Sequence, residues 1–243
     1  MNHRGTPPKI IDVNTVFGFW PWREVDISLE RLLELMDQHN ISRACCMSAR
    51  GLFLDADRGN DEALDAAARY SQLFPVGALD MRTAPTARDI QGWVDRGLTW
   101  FRFAATQEWS PDNLVFHELL PALDDHKCVL LFAAGAGFAA IADIADQYAS
   151  PIIVLESTFD TASELDRLLD RPHVYAEMSL LNAVGELNWL ADQGHGDQLL
   201  FASRMPLCYP GAAMGLVNDL AVPEQLRREI YAGNAQRLMG AGA

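Results

Sequence analysis

Ile10-Ile11-Asp12-Val13-Asn14-Thr15-Val16 is the stretch on which the reading of this chain turns. It is a short apolar run with two polar side chains in it, and it breaks into Phe17-Gly18-Phe19-Trp20-Pro21-Trp22. A strand alternates its side chains, so Asp12 and Asn14 are expected on one face. If this is the first strand of a β/α barrel, both point into the barrel near its C-terminal mouth, where such barrels carry their chemistry.

The rest of the chain repeats this organisation. Strand-like runs fall at 9–15, 42–49, 74–80, 98–104, 127–134, 151–156, 173–178 and 198–203. Helix-like periodicity falls between them, at 26–36, 60–70, 86–95, 114–124, 138–148, 161–169, 184–191 and 223–238. Asp26 and Ser28 both carry the acceptor that caps a helix start, and Pro223 sits where a first-turn proline is tolerated. Strict alternation predicts parallel strands, because each parallel pair needs a crossover. Eight such pairs in 243 residues predict one α/β domain over 1–243, a closed (β/α)8 TIM barrel. No linker or low-complexity run interrupts it. The glycines of Ala133-Ala134-Gly135-Ala136-Gly137 are not followed by the Lys-Ser/Thr of a phosphate loop.

The composition excludes some classes. The formal net charge of −14 argues against nucleic acid or an anionic membrane surface as a partner, since both need basic patches. No run reaches the length of a membrane span. The first residues lack the apolar segment of a secretory signal. Cys45, Cys46, Cys128 and Cys208 have neither zinc-ligand spacing nor a disulfide framework, and three of them lie in apolar strand-like runs. A reducing, cytoplasmic setting is therefore expected.

Several stretches together resemble the amidohydrolase-related barrels, the amidohydrolase 2 group that includes metal-dependent decarboxylases and pyrone-dicarboxylate lactonases. Asp12-Val13-Asn14-Thr15-Val16 resembles the group's opening Asp-x-His-x-His. Leu200-Phe201-Ala202-Ser203-Arg204-Met205-Pro206 resembles its eighth-strand Phe-Gly-Ser-Asp-x-Pro, and Gly233-Asn234-Ala235-Gln236-Arg237-Leu238 its closing Gly-Asn-Ala-x-Arg-Leu. Phe74–Asp80 and Val174–Ser179 fit the third and seventh strands. The resemblance spans nearly the whole chain and implies the barrel fold.

The departures concern the metal. The group's two first-strand histidines fall on Asn14 and Val16, its fifth-strand histidine on or near Phe132, and its sixth on Glu156 or Ser157. Its eighth-strand aspartate, a metal ligand or general base, falls on Arg204. Asp12 alone stays acidic. Valine and phenylalanine donate nothing to a cation, and arginine repels it. Independently of the resemblance, His39, His126, His173 and His195 precede strands or end helices, His3 precedes the first strand and His117 lies within a helix. None ends a strand, where a barrel's catalytic groups arise. No metal site and no cofactor is expected.

The mouth should collect the other strand ends: Ser48, Arg50, Asp80, Arg82, Arg102, Glu156, Ser157, Glu177, Ser179, Ser203 and Arg204, with Cys208 and Tyr209 following. Arg102, within Trp100-Phe101-Arg102-Phe103, needs a partner, because an unpaired buried charge is costly. That partner is a ligand carboxylate or phosphate, or an internal acid such as Glu156, Glu177 or Asp12. Arg204 is expected to pair with Asp12, or to hold an anionic ligand. Asp12 and Glu156 are the first candidates for a base, with Arg204 the third catalytic candidate. Asn14, Trp20, Trp22, Arg50, Arg102, Glu177 and Tyr209 are the substrate-binding candidates. The rings after the first strand suit a wall over an aromatic ligand, a subunit interface, or packing within the chain.

Three functional readings follow. One is a metal-independent hydrolase or lyase acting on a small carboxylated or aromatic molecule. Another is a catalytically silent relative that serves as a ligand-binding or partner subunit. The third is a scaffold that binds a ligand as a sensor or carrier. A homodimer or a partner chain is compatible with each.

Overall fold

The computed structural model describes residues 9–103 and 113–241. Among these residues nine short strands run in parallel: β1 (Ile11–Phe17), β2 (Arg43–Ser48), β3 (Leu73–Pro75), β4 (Gly77–Leu79), β5 (Trp100–Phe103), β6 (Val129–Ala133), β7 (Ile152–Leu155), β8 (Val174–Glu177) and β9 (Leu199–Leu200). β3 and β4 are two halves of one stave that changes partners at Val76: β3 pairs with β2, and β4 with β5. The ring closes where the N–H of Val13 donates to the carbonyl of Phe201, 3.1 Å away. The chain is an α/β protein with the (β/α)8 barrel fold. Residue 104 of the expected fourth strand and His3 lie outside the described residues.

The core has two layers, and strand alternation sorts residues between them. Ile11, Val13, Cys45, Met47, Val76, Trp100, Val129, Leu131, Ile153, Leu155, Leu200 and Ala202 pack together inside the barrel. Their neighbours Ile10, Ala44, Cys46, Phe101, Leu130, Phe132, Ile152, Val154 and Phe201 pack outward against the helices. Cys45, Cys46 and Cys128 are buried free thiols and Cys208 is exposed, which matches the expected division.

The helices are α1 (Leu29–Gln38), α2 (Ala49–Phe53), α3 (Ala56–Arg69), α4 (Ala87–Asp95), α5 (Leu114–Asp125), α6 (Phe138–Ala145), α7 (Ala162–Leu169), α8 (Glu186–Asp192), α9 (Pro210–Asn218), α10 (Glu224–Arg228) and α11 (Asn234–Ala241). Ser28, not Asp26, caps α1: its side chain accepts from the N–H of Arg31. Two helices have no counterpart in the sequence reading. α2 follows β2 directly, capped by Ser48. α9 begins at Pro210 and includes Gly211 and Gly215, so its apolar residues form no one-sided stripe. The expected helix 223–238 is interrupted by a π-turn at Glu229–Gly233. There the carbonyl of Ile230 accepts the N–H of Phe201 at 3.0 Å, filling a gap in the ladder beside β1. None of the described helices is long and apolar enough to cross a membrane.

Candidate active site

The mouth of the barrel is built from alternation and from three places where alternation breaks. On β5, Arg102 follows Trp100 at two residues' distance, so it faces the interior one layer above that ring. β1 is irregular: its register against β2 shifts between Asp12 and Thr15. Ile11 and Val13 face the interior before the shift, and Asn14 and Val16 line the cavity after it. On β7, Leu155 faces the interior, so alternation would turn the next side chain outward. The backbone at Glu156 is left-handed instead, with φ 62°, and its side chain enters the cavity. Arg204, also a cavity residue, has φ 60°. Such conformations are costly for residues with a Cβ and persist where the surroundings enforce them.

These side chains meet in a cavity of about 220 Å³. One wall is polar. Arg102 donates from Nη2 to Glu156 Oε1 at 3.0 Å and from Nη1 to Asn14 Oδ1 at 3.2 Å. Arg204 brings Nε to 3.7 Å from the same Glu156 oxygen. Burial pushes the Glu156 carboxyl up, but the two guanidinium groups and the hydrogen bonds from Arg102 and Asn14 outweigh it and hold the acid below its usual range. Glu156 is therefore a carboxylate at neutral pH. The other wall is apolar. Trp20, Trp22 and Phe53 meet edge to face, with centroids 4.6 to 5.2 Å apart, alongside Val16, Leu52 and Leu207.

Glu177 lies behind the polar wall and is fully buried. Its Oε1 accepts the backbone N–H of Glu156 at 2.6 Å, the hydroxyl of Ser179 at 2.9 Å and the amide of Asn14 at 3.5 Å. Its Oε2 accepts the N–H of Ser179 at 2.7 Å. This carboxyl thus clamps the left-handed turn at Glu156 and the amide that holds Arg102. Burial raises its affinity for a proton.

Asp12 corrects the first expectation. It lies on the other side of the β1 irregularity, fully buried and outside the cavity. It accepts from Ser203 Oγ at 2.5 Å, from the N–H of Ser203 at 3.2 Å and from the N–H of Asn14 at 3.1 Å. The expected Asp12–Arg204 pair is absent among the described contacts, because the bulge turns Asp12 toward Ser203 and leaves Arg204 to Glu156. Burial pushes the Asp12 carboxyl up to about 7.

The remaining candidates separate. Asn14, Trp20, Trp22, Arg102, Glu156 and Arg204 come together, with Glu177 one layer behind. Arg50 does not join them: it lies in the first turn of α2 and pairs with Glu62 of α3 at 2.7 Å, beside Ser48, which donates to the same carboxylate. Tyr209 is exposed at the start of α9 and stacks edge-on against His39. Asp80 and Arg82 pair with each other at 2.6 Å. Reasoning from sequence missed Val16, Leu52, Phe53 and Leu207 as lining residues. Phe53 carried a usable signal, a large ring shortly after the end of the second strand. Ser203 and Ser179 are among the expected strand-end residues, but that their hydroxyls satisfy the two buried acids is not evident from sequence. No three His, Cys, Asp or Glu side chains converge on a point among the described residues.

No protein-family model and no curated protein sequence matches this chain. Solved structures do. A TIM-barrel protein from Bordetella bronchiseptica superposes with a TM-score of 0.74 at 18% identity, covering 96% of this chain and 99% of its own. The 5-carboxyvanillate decarboxylase of Sphingomonas paucimobilis gives 0.78 at 14% identity, covering 95% and 98%. A probable 2-pyrone-4,6-dicarboxylic acid hydrolase from Acinetobacter baumannii, solved with citric acid bound, gives 0.73 at 11% identity, covering 96% and 99%. The chain thus has the (β/α)8 barrel fold, and its solved neighbours include decarboxylases, a probable hydrolase and a protein named amidohydrolase II.

Proposed function

We propose that this barrel binds a small carboxylated aromatic molecule at its mouth and acts on it as a hydrolase or lyase without a divalent metal. The observation that carries this reading is the pairing of two guanidinium groups with one carboxylate across from an aromatic wall. Arginine presents a planar fork that matches a carboxylate, and the rings of Trp20, Trp22 and Phe53 suit a flat apolar body. The names of the solved neighbours point the same way, toward carboxylated rings.

Metal independence rests on the donor set. The positions that the family resemblance assigns to the metal site hold Asp12, Asn14, Val16, Phe132, Glu156 or Ser157, and Arg204. Two of these are hydrocarbon and one is a fixed cation. Glu156 is already engaged by Arg102 and Arg204, and Asp12 lies outside the cavity, engaged by Ser203 and Asn14. A divalent ion would have to displace these contacts and sit beside two positive charges, so the residues do not fit one.

In the chemistry we propose, Arg102 and Arg204 orient the carboxylate of the ligand, and the ring packs on the tryptophans. Glu156, ionised at neutral pH, takes a proton from an attacking water or positions that water. Glu177 and Asn14 hold Glu156 and Arg102 in place.

A second reading, a binding protein without turnover, is favoured by the same low affinity of Glu156 for protons, which makes it a weak base. One experiment separates the two. Protein stripped with chelator is incubated with single-ring lactones, esters and hydroxybenzoates, and products are read by chromatography. Turnover that is lost in Glu156→Gln supports the enzyme. Ligand binding without turnover supports the second reading. Turnover only after zinc or manganese is restored contradicts metal independence.

A further inference from the structure

The cavity wall has a charge imbalance that specifies its ligand further. Its charged lining residues among those described are Arg102, Arg204 and Glu156. Both arginines approach a single oxygen of that one carboxylate, at 3.0 and 3.7 Å. Arg204 makes its closest approach to it through Nε. Its terminal nitrogens donate no hydrogen bond to the described residues. The lining therefore carries one positive charge more than it neutralises, on a fork with unused donors. The acids behind it, Glu177 and Asp12, are fully buried. They can add negative charge to this environment, never positive. From the described residues, the wall can balance at most one negative charge.

Size limits the ligand as well. The cavity of about 220 Å³ lies below the range that encloses drug-sized ligands. A dry cavity of about 150 Å³ is known to take up benzene, so one ring with one small substituent fits.

We infer that the site selects a one-ring monocarboxylate and rejects a ring that carries two carboxylates. This deepens the proposed function and rests on it. The first carboxylate meets the free fork of Arg204 and the guanidinium of Arg102. A second carboxylate on so small a ring has no unpaired cation left among the lining residues. It faces Glu156 or the aromatic wall, where an ionised group is repelled or loses its hydration uncompensated.

The test is isothermal titration of the whole protein with benzoate, isophthalate and benzamide at one fixed ionic strength. Benzoate is expected to bind at least about tenfold more tightly than either of the others, a difference of about 1.4 kcal/mol. Glu156→Gln then adds one unit of positive charge to the wall without changing its shape. Its benzoate-to-isophthalate preference is expected to fall about tenfold or more. Isophthalate binding as tightly as benzoate in the wild type overturns the inference and leaves the carboxylate site standing. An unchanged preference in Glu156→Gln also overturns it, because charge balance would then not set the selectivity. Failure of all three ligands to bind removes the site itself, and the inference with it.

Discussion

Asp12 and Glu156 are both acids of the barrel wall, and their surroundings drive them apart. Glu156 is held ionised by two arginines, whereas Asp12 sees mainly hydroxyl and amide donors in a fully buried site. Burial dominates there and lifts its carboxyl to about 7. A carboxyl whose affinity for protons is higher in the folded than in the unfolded chain favours folding at low pH, and loses that advantage as pH rises from about 4 to about 7. Asp12→Asn cannot titrate. Relative to the wild type, its stability in urea should therefore improve steadily over that interval, and a difference constant with pH would contradict the assignment. Their place at strand ends made Asn14, Arg102, Glu156 and Arg204 legible in the sequence, and alternation accounts for Arg102. The displacement of Asp12 was not legible, because nothing in Asp12-Val13-Asn14 marks the register shift that separates the two polar residues.

Helix α2 and its partner α3 are held at backbone contact by two glycines. A Cβ built on Gly59 would lie 2.2 Å from the Cα of Gly51 and 2.3 Å from its nitrogen. Backbone atoms cannot step aside as a side-chain tip can, so the helices must separate. Gly59→Ala should lower stability by about 1–3 kcal/mol, read from the urea midpoint. Because α2 carries Leu52 and Phe53 into the cavity, benzoate affinity should fall as well. Retained stability together with unchanged affinity would show that this contact does not place α2. The short helix was missed in the sequence for a physical reason: Ala-Arg-Gly-Leu-Phe is too brief to show a period, and its geometry is imposed by the glycine contact. α1, α4, α5 and α7 were read correctly, since each places apolar residues at helical spacing against the core.

At the scale of the molecule, the closing helix fastens the barrel. Asn234 is fully buried, and its amide donates to the carbonyls of Gly196 at 3.0 Å and Leu199 at 2.7 Å. This explains in physical terms the Gly233-Asn234-Ala235 stretch on which the family resemblance partly rests. Asn234→Ala leaves buried carbonyls without donors, at about 1–3 kcal/mol for each group left unsatisfied. A fall in urea stability of that order is expected, and hydrogen exchange should quicken at β9 and α11 first. An undisturbed β9 would contradict the fastening role. The barrel was legible because eight alternating pairs admit few other arrangements. The central claim belongs to this scale: the barrel places two arginines and an aromatic wall at its mouth to hold a carboxylated ring without a metal. The most direct measurement is titration with benzoate in the presence of chelator, for the wild type and Arg204→Ala. Wild-type binding that survives chelation, with at least about a tenfold loss in Arg204→Ala, is the predicted result. Binding that requires added zinc or manganese, or that is equal in the two proteins, would contradict it.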